Sequence, residues 1–127
     1  MKRTVVLILV AAFVSATFAQ KADILYFKAN LPCCQAAACD ALQNEVQAII
    51  SRNFKKSEVR MLVVKLTDEK NKSLIEKHQA KSQTLILEFR NNKKKPVDLS
   101  DILRAYLRNN DRKQLESSIV ERIKQNL

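Results

Sequence analysis

The spacing of apolar and polar residues along the chain distinguishes strand-like segments from helix-like segments. Ile24 to Lys28 is almost continuously apolar and aromatic, which predicts a strand buried in the middle of a sheet. From Pro32 to about Asn53 the apolar residues recur at helical spacing, which predicts one long helix with a polar opposite face. Pro32 suits the first helical position because its missing N–H needs no partner there.

The second half of the chain continues the same alternation. Apolar, β-branched runs over Val59–Leu66 and Thr84–Phe89 predict two more strands, and Pro96-Val97 predicts a short strand at a sheet edge. Three further helices are predicted: one through Leu74, Ile75 and His78, one over Asp98–Leu107, and one after Asn109-Asn110 carrying Leu115, Ile119 and Ile123. The first strand–helix–strand unit implies a parallel pair with a right-handed crossover. The predicted fold is therefore α/β, with a mixed sheet of about four strands and helices on both faces.

The first 19 residues have the pattern of a secretory signal peptide. Met1-Lys2-Arg3 is basic, Val5–Val14 is apolar, and small residues up to Ala19 offer a cleavage site. The apolar run is too short to span a bilayer comfortably, and an uncleaved membrane anchor is the less favoured interpretation. We therefore expect a signal peptide over 1–19 and a single exported domain over 20–127.

The chain is strongly basic, with a formal net charge of +10 that falls to +8 when Lys2 and Arg3 are removed. Export argues against a nucleic-acid partner, and the basic residues are not interleaved with aromatic residues that would stack on bases. The charge is interpreted as a solvated surface, with contact to an anionic membrane surface as the alternative.

Glycine is entirely absent from the sequence. Left-handed turn positions must therefore use other residues, and Asn53, Asn91-Asn92 and Asn109-Asn110 are the predicted ones. The absence also excludes a glycine-rich phosphate loop, and no cofactor is expected.

All three cysteines lie between Asn30 and Cys39, where the first strand gives way to the long helix. Cys33 and Cys34 fall in the predicted first helical turn, whose positive end stabilises a thiolate. Cys39 is about 9 Å from Cys33 and about 7.5 Å from Cys34 along a regular helix axis. Both separations exceed the roughly 7 Å limit for a disulfide. Cys39 also shares the apolar stripe of the helix and is interpreted as a small buried hydrophobic residue, with a redox role as the alternative.

The chemistry of Cys33 and Cys34 is open at this point. A disulfide between neighbouring cysteines closes a strained eight-membered ring that is easily reduced, which suits thiol–disulfide exchange. The same two thiols suit a soft metal or metalloid such as copper(I), mercury or arsenite. Zinc is not favoured because His78 is the only histidine and is distant; His78 is predicted to have a surface or capping role. Cysteines retained without chemistry are the third alternative.

Short motifs spread over most of the mature chain carry a resemblance to a known family. They are Tyr26-Phe27-Lys28-Ala29 leading into Cys33, Ser82-Gln83-Thr84-Leu85-Ile86, Val97-Asp98-Leu99-Ser100, Leu103-Arg104-Ala105-Tyr106 and Asn109-Asn110. With them the chain resembles small exported thioredoxin-like proteins of Bacteroidetes-type bacteria, which are grouped with the nitrophenyl-compound nitroreductase subunit family of arsenical-resistance operons. The resemblance implies a minimal thioredoxin fold with an extra C-terminal helix, a periplasmic location, and a thiol- or disulfide-bearing protein or small molecule as partner.

The resemblance places Cys33 at the nucleophile position, with two departures from thioredoxin. Our hypothesis is that Cys34, or less favourably Cys39, resolves the mixed disulfide. Thioredoxins have a second cysteine three residues after the first, where this chain has Ala36, and a cis-proline before the third strand, where it has Ser82-Gln83-Thr84. Exchange by the standard thioredoxin route is therefore not expected.

Overall fold

The structure is a computed structural model that describes residues 21–30, 33–90 and 94–127, and for residues 33–36 it gives the backbone alone. The predicted signal peptide, the predicted helix-starting Pro32 and the predicted turn at Asn91-Asn92 lie outside the described residues. In the part of the chain that is described, no helix is long and apolar enough to cross a membrane.

The described chain contains four strands and four α-helices, in the order β1-α1-β2-α2-β3-β4-α3-α4. The strands are β1 (Ala22–Lys28), β2 (Val59–Lys65), β3 (Leu85–Phe89) and β4 (Val97–Asp98). The helices are α1 (Cys33–Asn53), α2 (Lys72–His78), α3 (Ser100–Asn109) and α4 (Arg112–Asn126), with a 3₁₀ turn over Glu69–Asn71 before α2. The sequence pattern predicted each of these α-helices and strands, and the ends that it gave lie within about two residues of the observed ones, the usual uncertainty of such boundaries.

The sheet has the strand order β2-β1-β3-β4. β1 pairs with β2 in parallel and with β3 antiparallel, and β3 pairs antiparallel with β4. This is an α/β fold with a thioredoxin-like arrangement and an additional C-terminal helix, so the predicted fold class is confirmed.

The two faces of the sheet are covered unequally because alternate strand residues point to opposite sides. On one face, α1, α3 and α4 enclose the main core, which includes Ile24, Tyr26 and Leu87. On the other face, the short helix α2 and the chain around it cover a smaller apolar cluster, of which Phe27 and Val64 are members. The carboxyl ends of β1 and β2 point towards the start of α1, which places the cysteine-bearing helix end at this end of the domain.

Three residues of the described chain have left-handed backbone conformations. Asn110 has φ 54°, which confirms one of the predicted asparagine turns, whereas Asn53 ends α1 without a positive φ. The other two are Gln79, with φ 48°, and Gln83, with φ 63°. The prediction at Asn53 was wrong because the turn after α1 is made without a left-handed residue. Glutamines have the left-handed conformation after α2, at Gln79, and before β3, at Gln83.

Candidate functional site

The helix start carries two of the three predicted site residues. β1 ends at Lys28, and α1 begins at Cys33. Cys33 and Cys34 are thus the first two residues of a 21-residue helix that follows a central strand. The first-turn N–H groups of a helix have no intrahelical partner, and they carry the positive end of the helix dipole. The side chains of these two cysteines are outside the part of the chain that the structure describes.

Cys39 occupies a different environment from the helix start. It is a free thiol with only 5% of the residue exposed, within the apolar stripe of α1 as the periodicity predicted. The helix is continuous from Cys33, so Cys39 remains about 7.5 Å along the axis from Cys34. The structure therefore does not bring Cys39 to the first helical turn.

Gln83 contacts the Cys39 thiol from the loop before β3. Its Nε2 donates a hydrogen bond to Cys39 Sγ at 3.4 Å. The backbone N–H of Gln83 donates to the Phe27 carbonyl at 3.0 Å, and the N–H of Phe27 donates to the Thr84 carbonyl at 2.9 Å. The described chain contains no cis peptide bond. The residue of this loop that is hydrogen-bonded to β1, Gln83, has a left-handed backbone conformation. Sequence reasoning missed this contact because the two residues are 44 positions apart.

Tyr26 lies beneath α1 and links β1 to the Cys39 region. Its hydroxyl donates to the backbone carbonyl of Cys39 at 3.4 Å. Burial, followed by the negative charges that Cys39 and Asp40 can carry, raises the pKa of Tyr26 to about 12. The phenol is therefore protonated at neutral pH and supports α1 as a hydrogen-bond donor.

Two lysines lie side by side where β1 and β2 end. Lys28 and Lys65 are register partners in the parallel pair, so both lie on the face of the sheet that carries α1. Lys28 Nζ forms an ion pair with Asp40 Oδ1 on α1. Within the described chain no carboxylate forms an ion pair with Lys65.

A cleft of about 280 Å³ opens at these two lysines. We name it the basic cleft; its lining residues are Lys28, Ala29, Asn30, Lys65 and Thr67. None of these residues is acidic, and the chain from Asn30 continues to the first residue of α1. The basic cleft and the cysteine-bearing helix end are therefore at the same end of the domain.

His78 lies on the opposite face of the sheet, and its predicted surface or capping role was wrong. Its side chain is only 5% exposed, and Nε2 is 2.9 Å from Glu88 Oε2 on β3. The ring also packs edge-on against Phe27, with centroids 6.0 Å apart. The burial arises because its carboxylate and aromatic partners come from β3 and β1, which the local pattern around α2 does not reveal.

Glu88 accepts two charge-assisted contacts at this position. Lys77 Nζ lies 2.8 Å from Oε1, opposite the His78 contact on Oε2. Burial raises the pKa of Glu88, but the hydrogen bonds and charges of Lys77 and His78 outweigh it and hold the pKa below its ordinary value. No group of three or more histidine, cysteine or acidic side chains in the described chain is arranged to hold a metal ion. The soft-metal hypothesis for Cys33 and Cys34 stays a prediction.

Comparison with known proteins adds little to this geometry. No protein-family model and no curated protein matches the chain. A solved structure described as "Structure of a malarial protein" is 27% identical, covering 71% of this chain and 97% of that one, with a TM-score of 0.43. A structural similarity at this level carries no argument about function.

Proposed function

We propose that this chain is an exported thioredoxin-like thiol protein that exchanges disulfides through Cys33 and Cys34. The observation that carries the proposal is the start of α1 at Cys33, as the next element after a central strand of an α/β sheet. This position supports thiolate chemistry because the unpaired N–H groups and the dipole of a long helix favour a negative charge.

The proposed exchange has two steps. The Cys33 thiolate attacks one sulfur of a substrate disulfide, a new S–S bond forms, and the other substrate sulfur leaves as a thiolate that takes up a proton. The Cys34 thiolate then attacks the Cys33 sulfur and releases the second substrate thiol. The substrate disulfide gains two electrons, and the protein retains a Cys33–Cys34 disulfide. That strained bond is readily reduced by a thiol donor.

The burial of Cys39 supports Cys34 as the resolving residue. Cys39 is 5% exposed and its sulfur accepts a hydrogen bond from Gln83. Attack by Cys39 on Cys33 would require the first turns of α1 to unwind.

The test is a trapping experiment on the secreted, processed protein expressed from the full chain. With 2-hydroxyethyl disulfide as oxidant, Cys33→Ser should abolish mixed-disulfide formation, and Cys34→Ser should accumulate the mixed disulfide on Cys33 by mass spectrometry. Cys39→Ser is the matched control and should leave both steps intact. The intact mass also tests cleavage after Ala19. Equal reactivity of all three variants and the wild type would contradict the proposal.

The same preparation tests the alternative of a non-enzymatic thiol module. Arsenite titration that consumes the Cys33 and Cys34 thiols, without any disulfide exchange, would replace the redox proposal with soft-ion binding. Thiols that react with neither reagent in the folded protein would leave a structural scaffold.

A further inference from the structure

We propose that the basic cleft binds a carboxylate of the disulfide that Cys33 attacks, so that small acidic disulfides are the preferred substrates. This inference rests on the proposed function and adds a substrate class to it.

The strand register places two positive charges together. Lys28 and Lys65 are cross-strand neighbours on one face of the sheet, an arrangement in which like charges repel. Asp40 pairs with Lys28, which leaves the pair of lysines with one net positive charge. A bound anion removes the remaining repulsion, whereas a neutral or cationic group does not.

The cleft supplies donors that fit a carboxylate. Its lining residues include two lysines, Thr67 and Asn30, whose side chains carry amino, hydroxyl and amide groups, and none of its residues is acidic. Thr67 follows β2 by two residues, and Asn30 follows β1 by two, so both groups are held by the ends of paired strands. Lysine, hydroxyl and amide groups are all able to donate to carboxylate oxygens.

The cleft lies within a short length of chain from the reacting thiol. Cys33 is three residues after Asn30, and three residues span at most about 10 Å. A carboxylate a few bonds from a disulfide sulfur therefore suits a subsite at this distance. Positive charge at this end of the domain also concentrates acidic disulfides there.

The experiment compares three disulfides with the same S–S and CH₂–CH₂ skeleton and different charge. They are 3,3′-dithiodipropionate, which is anionic, 2-hydroxyethyl disulfide, which is neutral, and cystamine, which is cationic. We expect the wild-type protein to react with the anionic disulfide about tenfold faster than with the neutral one at low salt. Cystamine should be the slowest, and high salt should reduce the differences.

Variants of the cleft lysines and of two lysines on α4 test whether the preference for the anionic disulfide arises in the basic cleft. Lys65→Gln should lower the preference for the anionic over the neutral disulfide, and Lys28→Gln combined with Lys65→Gln should abolish that preference, measured as the ratio of the two rates. Lys113→Gln combined with Lys124→Gln removes the same charge from exposed positions on α4 and should leave the preference unchanged.

The outcomes separate the two proposals. Equal rates with all three disulfides, or an equal loss of preference in the α4 control, would overturn the subsite while leaving disulfide exchange standing. Failure of the neutral disulfide to react with wild-type protein would overturn the proposed function itself. The exposed single variant Lys65→Gln provides the decisive comparison if the double variant does not fold.

Discussion

Tyr26 is a buried phenol that connects the first strand to the cysteine-bearing helix. It is 1% exposed, and its hydroxyl donates a hydrogen bond to the Cys39 carbonyl at 3.4 Å. The pKa of Tyr26 rises from its ordinary value of 10.0 to about 12, chiefly because burial penalises the phenolate. The Tyr26 phenol therefore loses its proton at a higher pH in the folded protein than in the unfolded chain.

The first prediction concerns stability at high pH. Because the pKa of Tyr26 is higher in the folded state, its contribution is fully present below pH 10 and is lost as the pH rises through about 12. In Tyr26→Phe, the free energy of unfolding should fall less steeply across this window, by about 2 kcal/mol. Urea unfolding of the wild type and of Tyr26→Phe at several pH values in this window measures the difference in the free energy of unfolding. Lysines also titrate in this window, but they do so in both proteins, so their effect cancels in the comparison. Tyr106→Phe is the control; parallel curves for wild type and Tyr26→Phe would contradict the prediction.

Gln79 shows how a chain without glycine closes a helix. It follows the last residue of α2 with φ 48° and ψ 44°, and its N–H donates to carbonyls of the last turn. Most residues other than glycine adopt this left-handed conformation at a cost of about 1 kcal/mol. The exposed side chain of Gln79 therefore occupies a position that favours glycine.

The second prediction follows from that conformation. Gln79→Gly should raise the free energy of unfolding by about 0.5 to 1 kcal/mol, since glycine removes the steric cost of the left-handed residue. Chemical denaturation at neutral pH measures it. Glu76→Gly, in the same helix at an exposed position, should instead destabilise by about 1 kcal/mol. A loss of stability in Gln79→Gly would show that the left-handed cost at this position is not the dominant effect.

At the scale of elements, α2 is held on its face of the sheet by few contacts. No residue of α2 is buried as a whole, although the side chain of His78 is only 5% exposed. The helix packs through the smaller apolar cluster, and Lys77 and His78 attach its last turn to Glu88 of β3. The carboxylate of Glu88 is thus the polar anchor of the helix.

The third prediction is a pH-dependent contribution from this anchor. Because the pKa of Glu88 is lowered in the folded state, its stabilisation is present above the ordinary pKa of 4.5 and is lost as the pH falls through the folded value. Glu88→Gln should lower the free energy of unfolding by about 1 kcal/mol at neutral pH, after allowance for partial solvent screening. The difference should shrink in acid. Glu69→Gln is the control, and a difference that grows in acid would contradict the sign.

The elements themselves were predictable from sequence, but the contacts between them were not. Apolar spacing located α1 and β1 because burial of one face dictates the positions of their hydrophobic residues. It also assigned Cys39 to the core. The partners of His78 and Cys39 come from other elements, and side-chain hydrogen bonds across the fold leave no periodic signal. The juxtaposition of Lys28 and Lys65 likewise needs the strand register, which is fixed only when β1 and β2 pair.

At the scale of the whole molecule, α4 is an integral part of the main core. Its residues at intervals of four, Leu115, Ile119 and Ile123, are at most 1% exposed. On the polar side, Glu116 accepts hydrogen bonds from Arg52 Nη2 at 3.1 Å and from Asn53 Nδ2 at 2.9 Å. These donors hold the pKa of Glu116 below its ordinary value and join α4 to the end of α1. The additional helix therefore supports the helix on which Cys33 and Cys34 lie.

The fourth prediction is that shortening one α4 side chain destabilises the entire domain. Ile119 is 0% exposed, so Ile119→Ala should leave a cavity and lower the free energy of unfolding by about 2 to 5 kcal/mol. Urea unfolding followed by far-ultraviolet circular dichroism should show one transition at lower urea with an unchanged slope, because the core unfolds as one unit. Ser117→Ala, on the exposed side of α4, should change stability by less than about 0.5 kcal/mol. A separate early transition in Ile119→Ala would instead mean that α4 unfolds independently and does not support α1.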